Sequence, residues 1–418
     1  MKIRLIVFLL FIAQHSIIKS FAQSKTDKWL QHLLEKNASP LLTHILNTPD
    51  SFHYQIIYTQ INRDKKNKPH FKNFYLRVDS NEYFNPASTV KLPVALVALE
   101  KLNELHVQNL DMNTPMLTDS ARTGEERVWT DSTAAHGLPS IAQYIKRIFL
   151  ISDNDAYNRL YEFDGQQTLN EKLWEKGYTG TRITRRFVQM SEEQNRYTNP
   201  IRFIKNDSLI YAQPEAYSNV QFDFSKKHFV GNGYIDNDNK LVMQPKDFTT
   251  HNIFPLEDMQ RMLQAVLFPQ SVSPRQRFYL TDEQYKFLYK YMSQYLSETL
   301  SPKYDTTEYF NSYTKFFFFR ANKSPIPSYI RVFNKAGWTY GFLSDVAYIV
   351  DFKNHVEFML TATIYTNHDG ILNDDKYDYE DVGYPFFHEV GKIIYNYELH
   401  RKRKHQPDLS KFVIQYDK

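Results

Sequence analysis

Two spacings of apolar residues alternate along this chain, and the places where one gives way to the other mark out its elements. From Lys28 to Leu46 apolar residues recur at helical spacing (Trp29, Leu30, Leu33, Leu34, then Leu41, Leu42, Ile45, Leu46), with Pro40 as a break. Tyr54–Ile61 and Phe71–Val78 are rich in aromatic and β-branched residues and flank a polar NRDKKNKP loop, which predicts a strand–loop–strand pair. Leu92–Leu99 is an unbroken apolar run that predicts a buried helix, with Pro86 and Ser88–Thr89 at its start. Leu138–Leu150 predicts an amphipathic helix capped by Ser140, and helical spacing returns over Leu256–Phe268 and Asp282–Leu296. Residues 191–250 are polar with little periodicity and predict a long decorated loop region; Ser301–Pro327 is irregular and aromatic-rich. The end of the chain is β-rich: strands are expected at Tyr329–Ala336, Asp345–Asp351 and Val356–Tyr365, followed by a closing helix over Tyr384–Tyr397. The two early strands and three late ones can then form one antiparallel sheet, with the intervening helices making a second lobe.

Composition adds an address. Met1–Arg4 carries positive charge, Leu5–Ala13 is an apolar core too short to span a bilayer, and Ser20–Phe21–Ala22 is a small-x-small cleavage site. Residues 1–22 are therefore expected to be a signal peptide. No second long apolar stretch follows, so the product should be exported and soluble, with no stable membrane anchor. The chain has no cysteine, which removes disulfides and a thiol nucleophile and suits a bacterial periplasm or exterior. A net charge of +4 is slight, and the basic run His400–His405 reads as a solvated helix end, so no nucleic-acid partner is expected. No H-E-x-x-H occurs, Asp236–Asn239 lacks the rest of a calcium loop, and Gly231-Asn-Gly233 reads as a turn. Neither a metal nor a cofactor is expected, and the chain is expected to be a monomer.

Three short motifs carry candidate chemistry. Ser88 precedes Lys91 by three residues within FNPASTVK, so on a helix both side chains share a face. A hydroxyl needs a base to become a nucleophile, and an amine kept neutral by burial or neighbouring charge can serve. Alone, this pair reads as readily as a helix cap beside a solvated lysine. Ser152-Asp153-Asn154 opens an S-D-N-x-A-x-N segment ending at Asn158, and Lys335-Ala336-Gly337 lies on the first late strand, followed by Trp338-Thr339.

In this order and with these flanks, the motifs resemble the active-site serine penicillin-recognising enzymes, most closely the class A β-lactamases. The resemblance covers roughly residues 45–190 and 245–400, with 196–245 and about 297–327 as insertions. It implies an α+β, multi-layer, β-lactamase-like fold: a five-stranded antiparallel sheet flanked by terminal helices, plus a helical lobe. Residues 23–418 would form one catalytic domain, with a sheet lobe (23–80 and 320–418) and a helical lobe (81–319). It also implies roles. Ser88 would be the nucleophile, Lys91 its base, and Ser152 the donor of a proton to the leaving nitrogen. Asn154, Lys335, Gly337, Trp338 and Thr339 would bind substrate, and the backbone N–H groups of Ser88 and Trp338 would form the oxyanion hole. The implied activity is a serine hydrolase that opens a β-lactam amide through an acyl-serine.

Departures from the family pattern keep other readings open. Ala336 stands where a hydroxyl residue is usual, Leu343-Ser344-Asp345 offers no arginine, and Trp338 is expected to crowd the site. Thr181-Arg182-Ile183-Thr184-Arg185 matches the segment that precedes the family's deacylating glutamate, yet the ungapped position for that residue is Phe187. A short insertion would bring Glu192 into place, with Glu193 as its rival; both read equally well as solvated loop carboxylates. The substrate is then a β-lactam or a cell-wall peptide. The alternatives are a D,D-peptidase or esterase, or a penicillin-binding sensor that stays acylated.

Overall fold

The computed structural model describes residues 24–122, 125–323 and 325–418, so the expected signal peptide lies outside the described residues. Five long strands form one antiparallel sheet: β1 (Gln55–Arg63), β2 (Pro69–Leu76), β3 (Ile330–Thr339), β4 (Phe342–Asp351) and β5 (Val356–Tyr365), in the order β3-β4-β5-β1-β2. The early and late strands meet at β1 and β5, with Ile56 opposite Ala362 and Tyr58 opposite Leu360. Every residue of β4 and β5 is buried, because both faces of the sheet are covered. Along β4 the side chains alternate between two cores. Val346, Tyr348 and Val350 join the core beneath the central helices, while Ala347 and Ile349 join the core beneath the terminal helices.

The terminal layer consists of helices Lys28–Asn37, Pro40–Asn47 and Tyr384–His400, broken as expected at Pro40, which occupies the first helical position behind a Ser39 cap. Its apolar stripe (Leu30, Leu34, Leu42, Phe387, Val390, Ile394) is buried on the sheet. On the other face lie the helices Lys91–Glu104, Ile141–Ile151, Asn154–Asp164, Gln166–Glu175, Leu256–Leu267 and Asp282–Ser293. Lys91–Glu104 is buried almost all round, in keeping with its unbroken apolar run. Among the described residues, no helix is long and apolar enough to cross a membrane.

Two findings differ from the reading of the pattern. Helices Asn154–Asp164 and Gln166–Glu175 were not read from the apolar pattern because they are polar on average and much of their buried surface is polar: Asn158, Arg159, Glu162, Asp164 and Asn170 are all buried. Within 191–250, short strands appear rather than uninterrupted loop. Ile201–Lys205 and Ser208–Gln213 form a hairpin that extends Met116–Thr118, and Gly233–Ile235 pairs with Leu241–Val242. These pieces are too short to show a period. The Asp236–Asn239 stretch is the turn of the second hairpin, its Asp236 carboxylate accepting the N–H groups of Asp238 and Lys240 at 2.9 and 2.8 Å.

Candidate active site

Ser88 sits in a single 3-10 turn, Ala87–Val90, that feeds directly into the helix starting at Lys91. Ala87 is held at φ 46°, a left-handed conformation costly for a residue with a Cβ, and its N–H is tied to Asn85 Oδ1 at 2.9 Å. The turn is thereby fixed just ahead of Ser88. Strand β3 closes on it from the other side. A Cβ on Gly337 would lie 2.6 Å from Ser88 N and 2.8 Å from Thr89 N, so only glycine allows this approach.

Ser152 comes from a junction between two helices. It caps Ile141–Ile151 in a left-handed conformation (φ 62°), and the next residue, Asp153, caps Asn154–Asp164 by accepting Ala156 N–H at 2.8 Å. Arg147 braces the junction by pairing with Asp153 at 2.9 Å and Asp131 at 3.0 Å.

These pieces converge on two buried amines. Lys91 Nζ lies 2.9 Å from Ser88 Oγ, 2.6 Å from Asn154 Oδ1 and 3.4 Å from Ser152 Oγ, and it also bonds the Ser152 carbonyl. Lys335 Nζ donates to Ser152 Oγ at 2.8 Å and to the Ala336 carbonyl at 2.6 Å. Ser152 Oγ therefore stands between the two amines. Burial, then the positive charge of Lys335, pulls the Lys91 pKa well below the usual lysine range. Burial likewise brings Lys335 down to about 7, against the opposing pull of Asp345. A neutral Lys91 has two N–H groups and one lone pair. The Ser152 carbonyl and Asn154 Oδ1 absorb the two N–H groups, which leaves the lone pair for the Ser88 hydroxyl. That arrangement can activate an oxygen nucleophile.

Residues 53–397 match the Beta-lactamase2 family, described as the beta-lactamase enzyme family. The chain belongs to the beta-lactamase enzyme family. Among solved structures it is similar to a beta-lactamase from Sphaerobacter thermophilus (12% identity, TM-score 0.46, 88% of this chain and 96% of that one). It is also similar to a beta-lactamase from Xanthomonas campestris pv. campestris (15%, 0.46, 85% and 96%) and a class A beta-lactamase from Clostridium kluyveri (14%, 0.44, 85% and 97%). No curated protein sequence matches the chain.

Within this beta-lactamase family fold, a cavity of about 600 Å³ opens onto Ser88, bordered by Asn154, Phe187, Trp338 and Thr339. Trp338 does not crowd it as expected. Side chains alternate along β3, and the indole turns to the terminal-helix face, where its ring centroid lies 5.6 Å from Tyr313 and 5.8 Å from Phe316. Ala336 is buried on that same face.

Glu192 is placed differently from the expectation. It is exposed on the first turn of a short helix, Glu192–Arg196, and borders a separate cavity shared with Glu193. The cause lies in Arg186, which is fully buried. Its guanidinium pairs with Glu162 at 2.5 Å and donates to the carbonyls of Gln194 and Tyr197 at 2.7 and 3.0 Å. Asn195 is buried too, accepting Arg186 N–H at 2.8 Å. With the loop pinned from inside, its two carboxylates face outward. Phe187 takes the place beside Lys91: its ring centroid is 5.1 Å from Lys91 Nζ, it stacks on Tyr157 at 4.5 Å, and its N–H donates to Asn158 Oδ1 at 2.7 Å. No acidic residue is among the described residues that line the Ser88 cavity.

Several site residues carried no sequence signal of their own. Arg185, Lys246 and His251 line the cavity, and Asn252 holds the 184–185 backbone by accepting Thr184 and Arg185 N–H groups at 2.8 and 3.1 Å. Arg185 lies within the Thr181–Arg185 segment, and Lys246, His251 and Asn252 within the 245–400 stretch of the resemblance, but the resemblance gives none of them a role.

Proposed function

We propose that this protein is an exported serine hydrolase that opens β-lactam amides through an acyl-Ser88 intermediate. The observation that carries this reading is Lys91, whose two N–H groups are spent on Ser152 and Asn154 while its nitrogen stays 2.9 Å from Ser88 Oγ. In the first step the Lys91 lone pair takes the hydroxyl proton as Ser88 Oγ bonds to the substrate carbonyl carbon. The developing oxyanion is received by the backbone N–H groups of Ser88 and Trp338, on the turn and the strand brought together at Gly337. Ser152 then passes its proton to the leaving nitrogen as the amide C–N bond breaks. It is re-supplied from Lys91, and Lys335 supports it with a donated hydrogen bond.

A second reading, favoured by Phe187, is an enzyme that acylates readily and releases its acyl group slowly. It is either a penicillin-binding sensor or a cell-wall D,D-peptidase or esterase that meets β-lactams as poor substrates. Phe187 supplies no base to activate water, and Glu192 faces away, which leaves Lys91 as the nearest base. Mass spectrometry of the intact protein after mixing with benzylpenicillin, followed over time, separates these. A transient adduct on Ser88 supports the hydrolase and a lasting one the slow acyl-enzyme. No adduct excludes acylation by β-lactams and leaves peptide or ester cleavage.

A further inference from the structure

Two basic side chains in the Ser88 cavity have no acidic partner. Arg185 and Lys246 both line it, and among the described residues neither makes an ion pair. Charged groups withdrawn from water are costly unless something compensates them. What Arg185 has instead is a base: a guanidinium N–H donates to His251 Nε2 at 2.7 Å, which requires that nitrogen to be unprotonated. Burial, then the charges of Arg185 and Lys246, push His251 down to about 3, so the imidazole is neutral and serves to aim the guanidinium. Lys246 leans over the rings of Tyr234 and Tyr340, at 4.4 and 5.8 Å from their centroids. The cluster thus carries two positive charges into a cavity whose described lining holds no carboxylate.

Its position says which part of a substrate it would meet. The Arg185 carbonyl accepts the hydroxyl of Tyr157 at 2.8 Å, and the Phe187 N–H is held by Asn158. Both partners lie on the helix that begins at Asn154. Lys335 and Ser152, which serve the leaving group, are buried behind Ser88 and are not part of the cavity lining. The cluster and the leaving-group pair thus occupy different parts of the site, and the acyl-serine reading assigns the cluster to the acyl portion.

We propose that Arg185, Lys246 and His251 form an anion subsite that takes a carboxylate carried on the acyl portion of the substrate. The assignment to the acyl portion rests on the acyl-serine reading above; the anion site itself does not. It makes acyl donors with a side-chain carboxylate the preferred class and supplies, from the Arg185 and Lys246 wall of the cavity, positive charge that Leu343–Asp345 does not provide.

The test uses Ser88→Ala protein, which cannot be acylated, and calorimetric titration with benzylpenicillin and with carbenicillin, which adds one side-chain carboxylate. Carbenicillin should bind about 10-fold more tightly at low salt, an advantage that shrinks as salt is added. Either Arg185→Gln or Lys246→Met in the Ser88→Ala background should cut that advantage below about 3-fold. Lys246 is half-buried on a two-residue strand paired with Phe229–Val230, outside the central sheet and the helices, so its replacement guards against a folding defect in the Arg185 variant. Equal affinities, a preference that survives both substitutions, or no binding of either ligand would overturn the subsite. Adduct formation by the unsubstituted protein is read separately. If neither penicillin acylates it while the binding preference holds, the β-lactam reading fails and the subsite stands.

Discussion

The turn at Ser88 and the loop at Phe187–Asn195 border neighbouring cavities and are built on opposite principles. Around Ser88, every chemical group is anchored in the buried core: Lys91 on a helix buried nearly all round, Ser152 between two capped helices, and Lys335 on a strand of the central sheet. In the loop, the buried groups are Arg186 and Asn195, which tie the backbone, while Glu192 and Glu193 face solvent. The first region holds a hydroxyl 2.9 Å from a buried amine, the pair that the proposed reading uses to attack a carbonyl. The second holds no group that could activate water beside Ser88. On the proposed reading, forming and breaking an acyl-enzyme are thus assigned to separate regions, and only the first brings its groups within hydrogen-bonding reach.

The sharpest way to break the contrast is to remove the base on the rigid side. Lys91→Met should slow adduct formation by ~10²–10⁴-fold in stopped-flow or quenched mass spectrometry. In the unsubstituted protein, acylation should fall as pH drops through the Lys91 pKa, because the ammonium has no lone pair. Lys335→Met removes the positive neighbour, lets Lys91 keep its proton to higher pH, and should move that acid limb upward. An unmoved limb would show that Lys335 does not depress Lys91.

Next in size is an attempt to make the second region resemble a complete hydrolase. Phe187→Glu places a carboxylate beside Lys91 and should shorten the lifetime of the penicillin adduct by ~10²-fold, within the usual range for a positioned general base. An unchanged lifetime would mean that the loop backbone, rather than the side chain, keeps water from the ester.

Gly337→Ala tests the contact between strand and turn. Its Cβ would fall 2.6 Å from Ser88 N, so the backbones must separate, at a cost of ~1–3 kcal/mol in stability. Acylation should fall by roughly tenfold, less than the ~10²–10³-fold cost of removing an oxyanion donor outright. The smallest effect belongs to Glu192→Ala, which should leave both adduct kinetics and stability unchanged within ~0.5 kcal/mol, as for an ordinary surface position. A slowed deacylation there would reverse the contrast.

Sequence pattern was a good guide where a single element carried its own period or motif. The five long strands, the Pro40 break and the Ser140 cap were legible because alternation, a missing N–H and a capping hydroxyl act locally. Ser88, Lys91, Ser152, Asn154 and Lys335 were legible as three spaced motifs, and the structure brings their side chains within hydrogen-bonding reach. The helix Asn154–Asp164 was not read, since it is polar on average and part of its buried face is held by hydrogen bonds and ion pairs that no apolar run announces.

By itself, then, the amino-acid order determined the five long strands, most of the apolar helices and the family motifs. Only the tertiary structure decided that Glu192 faces outward, that the Trp338 ring packs on Tyr313 and Phe316, that Arg185 meets His251 beside Lys246, and that Gly337 lets β3 reach Ser88. Each of these depends on contacts between residues far apart in the chain: Arg186 on Glu162, Trp338 on Phe316, Arg185 on a histidine 66 positions later. Local propensity and spacing act over a few residues, whereas the direction a loop carboxylate faces is set by whichever buried partner holds the backbone from behind.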